Sequence, residues 1–131
     1  MKKISLLTQI IFHTVNLLLI ILYIFPGSIL GWFIYEDFKK QPQITSDLIY
    51  LSSSHFFAFL TLSILGLIAF FKKNKKILFL YLFLISTFLE LSHIIIPQRN
   101  FEYQDLIGNI LGVLIVFLIF YIYKYFRKKN L

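Results

Sequence analysis

Four stretches of this chain are apolar from end to end for about as long as a helix needs to cross a bilayer, roughly 20 residues for about 30 Å of hydrocarbon. They fall at about Leu6–Phe25, Leu48–Phe71, Ile77–Ile96 and Leu106–Phe126. A soluble helix keeps a polar face at a 3.6-residue period, whereas these are apolar all round. With 59% hydrophobic residues and a mean hydropathy of +0.82, little is left over for a soluble domain. The expected fold is an all-α membrane protein, one domain over residues 1–131 forming a four-transmembrane-helix bundle. Met1-Lys2-Lys3 before an apolar run also suits a signal peptide, but the run exceeds the usual 7–15 residues or so and no A-x-A-like site follows. A retained first span is expected.

Charge sets the orientation. Lys2 and Lys3 precede the first span, Lys72, Lys73, Lys75 and Lys76 join the second to the third, and Lys124, Arg127, Lys128 and Lys129 close the chain. Ten of the 13 basic residues therefore share one side, against Lys39, Lys40 and Arg99 on the other with Glu36, Asp37, Asp47, Glu90, Glu102 and Asp105. The positive-inside rule places both termini and the Lys72–Lys76 loop in the cytoplasm, with the chain crossing the membrane several times. The net charge of +7 is then a topology signal. Nucleic-acid binding is excluded, because the basic residues are split among three short flanks. With no cysteine there is no disulfide, thiolate nucleophile or thiolate-ligated zinc. The widest connection, about Pro26–Asp47, is expected on the outer surface, with Trp32, Phe33 and Tyr35 in the aromatic belt, Gly31 among its helix breakers, and Gly31→Leu far better tolerated than Gly112→Leu.

Ionisable groups inside a span cost roughly 2.5 kcal/mol or more, so those that persist have a partner or a task. Glu90, His93, Arg99, Asp105 and Asn109 interrupt the apolar pattern within 23 residues, and His55 lies near the outer end of the second span. Counting at 1.5 Å per residue from Pro97 puts Glu90 and His93 about 10 Å and 6 Å below the outer end of the third span. His55 and Asn109 come to the same layer of the outer leaflet. Glu90 and His93 are i, i+3 neighbours, and Asp105, Asn109 and Gly112 form one stripe of the last span. Gly108 and Gly112 make a small-xxx-small pair, which turns that stripe inward, against the second and third spans. His13 and Asn16, nearer the cytoplasm, are expected to be packing polars.

His55-Phe56, Glu90-Leu91-Ser92-His93, Pro97-Gln98-Arg99 and Asp105-Leu106-Ile107-Gly108-Asn109 with Gly112 resemble the VanZ-like family of small bacterial membrane proteins, over about residues 26–112. The family pattern runs D-K-x-x-H-F, then E-x-x-Q, then P-G-R-x-x-x-x-x-D-L-x-x-N-x-x-G. This chain has Leu51 and Ser52 in place of the Asp-Lys pair, with Asp47 a turn earlier, His93 in place of Gln and Gln98 in place of Gly. The resemblance implies a four-span envelope protein linked to glycopeptide (teicoplanin) resistance, with no assigned reaction.

Two classes of function fit these residues. In one, the protein binds or acts on a lipid-linked or cell-envelope substrate at the outer leaflet. Arg99 would then clamp an anionic head group with Asp105 and Asn109 as binding partners, and Glu90 would be acid or base with His55 or His93. In the other, the polar cluster staples the helices of a non-catalytic accessory protein. Neither class makes it clearly an enzyme. The expected partner is a membrane lipid or lipid-linked intermediate, with a second copy or an envelope-synthesis protein as further candidates. No cofactor is expected: Glu90-x-x-His93 with His55 has ligand spacing, but the Gln usual at position 93 binds metals poorly. An alternating-access transporter fits worse, since no span is broken.

Overall fold

The computed structural model describes residues 2–42 and 51–129. Among them are five helices and no strand: α1 (Lys2–Ile24), α2 (Ile29–Tyr35), α3 (Ser53–Ala69), α4 (Lys75–Ser92) and α5 (Tyr103–Lys129). The four long helices carry the four apolar stretches of the sequence. Asp47 and the expected start of the second span lie outside the described residues.

Among the described residues only two helices, α1 over Leu6–Ile24 and α5, are both long and apolar enough to cross a membrane by length and composition, where four were expected. Physical reasons separate the other two. The 17 residues of α3 reach about 26 Å, short of the hydrocarbon thickness. The 18 residues of α4 include Lys75, Lys76 and Glu90.

The ends of the helices follow local chemistry. Asn74 caps α4, its side chain accepting from the Lys76 N–H at 3.0 Å. At the other end α4 stops at Ser92, four residues before the expected Ile96. Pro97 disfavours helical backbone in the residue before it, and Ser92 turns its hydroxyl back onto the Leu89 carbonyl at 2.6 Å. Glu90 and His93 therefore sit at the mouth of the bundle, shallower than a helix running to Ile96 would place them. The outer connection is folded rather than slack. Ser28 caps α2 by accepting from the Gly31 N–H at 2.9 Å, and Trp32 stacks on Phe38 at 5.7 Å. Gly31 is not the tolerant position expected of it, because a Cβ there would collide with the backbone of Lys40.

The core is apolar and lies where α3 meets α5 and α1 and α4 flank them. Phe59, Leu62, Phe79, Leu82, Leu89 and Val113 are fully enclosed. As the glycine spacing implied, α5 presses on α3: a Cβ at Gly108 would come within 2.7 Å of the Ser52 carbonyl, and one at Gly112 within 2.5 Å of the Phe56 carbonyl. That close approach brings His55 against the start of α5.

Candidate functional site

Every long helix sends a polar group to the same end of the bundle. Helix α1 contributes Tyr23 from its last turn, α3 contributes His55, α4 contributes Glu90 and its C-cap His93, and α5 contributes Asp105 and Asn109. Glu90 and Asn109 are wholly enclosed and His93 is nearly so. The candidates singled out in the sequence thus meet in one cluster.

Tyr23 is at its centre. Its hydroxyl lies 2.8 Å from Asn109 Oδ1 and 2.8 Å from His55 Nδ1. Its ring stacks on His93 at 5.5 Å, and its carbonyl receives His93 Nε2 at 3.1 Å. Sequence reasoning missed this residue, since one tyrosine at the end of a span looks like any aromatic-belt tyrosine. A usable signal is its position on the turn before Pro26-Gly27, at the depth inferred for His55 and Asn109.

Hydrogen counting fixes the polarity of the network. Asn109 Nδ2 donates to the Ser86 carbonyl at 3.3 Å, so Oδ1 is the atom facing Tyr23 and accepts its one hydroxyl hydrogen. His55 Nδ1 must then be the protonated nitrogen, donating to the Tyr23 oxygen. His55 Nε2 faces Asp105 Oδ2, 3.4 Å away.

Glu90 divides its two oxygens. Oε1 lies 3.2 Å from His93 Nδ1 and accepts from the Glu102 N–H at 3.4 Å. Oε2 is buried with no hydrogen-bond partner, 3.7 Å from His55 Nδ1. An unsatisfied carboxylate oxygen costs of order 1–3 kcal/mol or more. One ligand atom each from His55, Glu90 and Asp105 falls within 4.8 Å of the others.

Arg99 serves a different geometry from the bidentate clamp expected of it. Its Nε donates to the Phe25 carbonyl at 3.2 Å and its Nη2 to the Leu22 carbonyl at 2.5 Å, so it caps the open C-terminal end of α1. Nη1 is the donor left for a ligand. Burial draws the guanidinium below its usual range, while Tyr23, Glu90 and Asp105 act the other way. The residue before it, Gln98, has a left-handed backbone with φ of +61°. The Gly that the VanZ-like pattern carries at this position avoids the strain a side chain meets there. Gln98→Gly should raise stability by about 1 kcal/mol, read as a higher thermal midpoint in detergent; a lower midpoint would show that the Gln98 side chain contributes more than its backbone costs.

A cavity of about 290 Å³ opens beside this cluster, with Tyr23, His55, His93, Arg99 and Gln41 among its lining residues. A larger one, about 660 Å³, lies towards the opposite end, where Phe12, Phe70, Ile77 and Leu78 make it mainly apolar. His13 lines that second cavity, and Asn16 donates to the Tyr81 hydroxyl at 2.5 Å. Asn16 is buried as a packing polar would be, whereas His13 is exposed.

No curated protein and no solved structure matches the chain. A protein-family model does, over residues 5–124, a span that takes in α3 and α4, most of α1 and α5, and every residue of the cluster. The chain belongs to the VanZ/LLP1 family.

Proposed function

We propose that the protein is a four-span protein of the bacterial cytoplasmic membrane that binds, at the outer leaflet, the polar head group of a lipid-linked cell-envelope intermediate. The observation that carries this reading is the convergence of Tyr23, His55, Glu90, His93, Asp105 and Asn109 at one end of an otherwise apolar bundle, beside an open cavity. The outward faces of α3 and α4 support four crossings. Phe57, Ile64 and Ile68 on α3 are exposed, as are Ile77, Leu80, Leu84, Phe88 and Leu91 on α4. This apolar outward stripe is the reverse of a soluble helix. Lipid adjusts to short spans at a modest cost.

Orientation is tested by cysteine labelling. A cysteine at Gln104 should react with an impermeant thiol reagent in intact cells and one at Asn74 should not, because ten of 13 basic residues lie on the Asn74 side. The opposite pattern would invert the site into the cytoplasm and end the outer-leaflet reading.

In this reading the head group meets Arg99 Nη1 and Asp105, and Glu90 with His55 and His93 supplies the reactive groups. Asn109, expected as a binding residue, instead spends its enclosed amide on Tyr23 and Ser86. Expression should change sensitivity to a glycopeptide such as teicoplanin. Glu90→Gln keeps the size and both hydrogen-bonding atoms of the side chain, so the protein should fold normally and lose that effect. A second reading rests on a different observation: the Tyr23–Asn109–Ser86 chain and the Arg99 cap tie α1, α4 and α5 together, as a structural staple would. Full effect from well-expressed Glu90→Gln and Arg99→Gln proteins would leave only the staple.

A further inference from the structure

We propose that His55, Glu90 and Asp105 form a binding site for a divalent transition-metal ion, with zinc the best fit. One imidazole nitrogen and two carboxylate oxygens converge there, each within 4.8 Å of the others. His55 Nδ1 gives its hydrogen to Tyr23, whose own hydrogen goes to Asn109, so a neutral His55 presents the Nε2 lone pair to an ion. Asp105 Oδ2 faces that lone pair at 3.4 Å. Glu90 Oε2 is buried and unpartnered, and its carboxyl is held from the other side by His93 and the Glu102 N–H.

A cation resolves that convergence of lone pairs. Two ligands about 2.1 Å from a zinc ion at a tetrahedral angle lie about 3.4 Å apart, the separation found between His55 Nε2 and Asp105 Oδ2. The Glu90 ligand atom lies within the 4.8 Å that encloses the set, so binding an ion requires it to close in. The surroundings also fit. A metal-binding imidazole ordinarily gives its other N–H to an acceptor that fixes the ring, as His55 gives Nδ1–H to Tyr23. One nitrogen and two oxygens suit zinc, and three protein ligands leave a fourth position open.

This set differs from the Glu90-x-x-His93 spacing read in the sequence. His93 stands behind Glu90 with its Nε2 spent on the Tyr23 carbonyl, so the Gln usual at position 93 is no obstacle. An open coordination position next to the 290 Å³ cavity would accept a phosphate or hydroxyl oxygen of a head group. Only that last step rests on the head-group reading; the ion itself rests on the three ligand atoms.

The test uses the full chain purified in detergent without chelator, with zinc chloride as the probe and no phenotype involved. Equilibrium dialysis should find one zinc per chain, and added zinc should raise the thermal midpoint. His93→Gln should still bind one ion. Asp105→Asn and His55→Gln should each bind at least about tenfold more weakly, and a triple variant with Glu90→Gln should show no zinc-dependent stabilisation. Cobalt(II) in place of zinc should give the visible absorption of a tetrahedral nitrogen–oxygen site. Wild-type protein that takes up no more zinc than the triple variant overturns the proposal and assigns the Asp105–His55 contact to a shared proton. Loss of binding in His93→Gln equal to that in Asp105→Asn overturns the ligand set.

Discussion

Gly112→Leu is expected to abolish folded, monodisperse protein in detergent. The atoms in its way are backbone: a Cβ at position 112 already meets the Phe56 carbonyl at 2.5 Å and the Leu60 amide at 2.8 Å. Overfilling a core against movable side chains costs about 1–3 kcal/mol. Here nothing can rotate aside, so α3 and α5, the most extensively packed pair of helices, must part. That interface carries His55 to Asp105, and its separation dismantles the site as well as the core. Against a total stability of about 5–15 kcal/mol the loss is decisive. Ile119→Phe, on the exposed face of the same helix, adds bulk without an obstacle and should leave the yield unchanged. Equal yields of the two variants would show that the Gly108–Gly112 stripe does not face α3.

Much of this arrangement was legible because membrane-like segments make polar residues conspicuous. Glu90, His93, Asp105 and Asn109 stood out from apolar runs, and helical spacing paired them correctly. His55 joined them by depth alone. What the sequence concealed depends on backbone path. Nothing in an apolar run marks Ser92 as the end of α4, since the stop comes from Pro97 and a hydroxyl turned onto the Leu89 carbonyl. The role of Arg99 was hidden for a related reason. Its partners are carbonyls of Leu22 and Phe25, 74 or more positions away, and carbonyls carry no sequence signature. Gly31 was misread because its crowding comes from a fold of the outer connection onto Lys40.

Tyr23 shows the same limit and supplies the sharpest separation of site from staple. Tyr23→Phe keeps the ring that stacks on His93 and the carbonyl that receives its Nε2, and removes only the hydroxyl. Asn109 Oδ1 then has no donor and His55 Nδ1 no acceptor. The variant should fold with stability lowered by about 1–3 kcal/mol, the penalty for leaving such groups unmade. Freed from Tyr23, His55 can turn its hydrogen to Nε2 and point it at Asp105, which fills the lone-pair convergence that the site depends on. The effect on glycopeptide sensitivity should therefore be lost. Tyr81→Phe is the matched control, because that hydroxyl pairs with Asn16 far from the cluster and its removal should cost comparable stability. If the hydroxyls act only as staples, the two variants should behave alike at equal folded yield. A functional Tyr23→Phe protein with the stability of Tyr81→Phe would assign the network to packing, whereas loss confined to Tyr23→Phe ties function to the orientation of one imidazole.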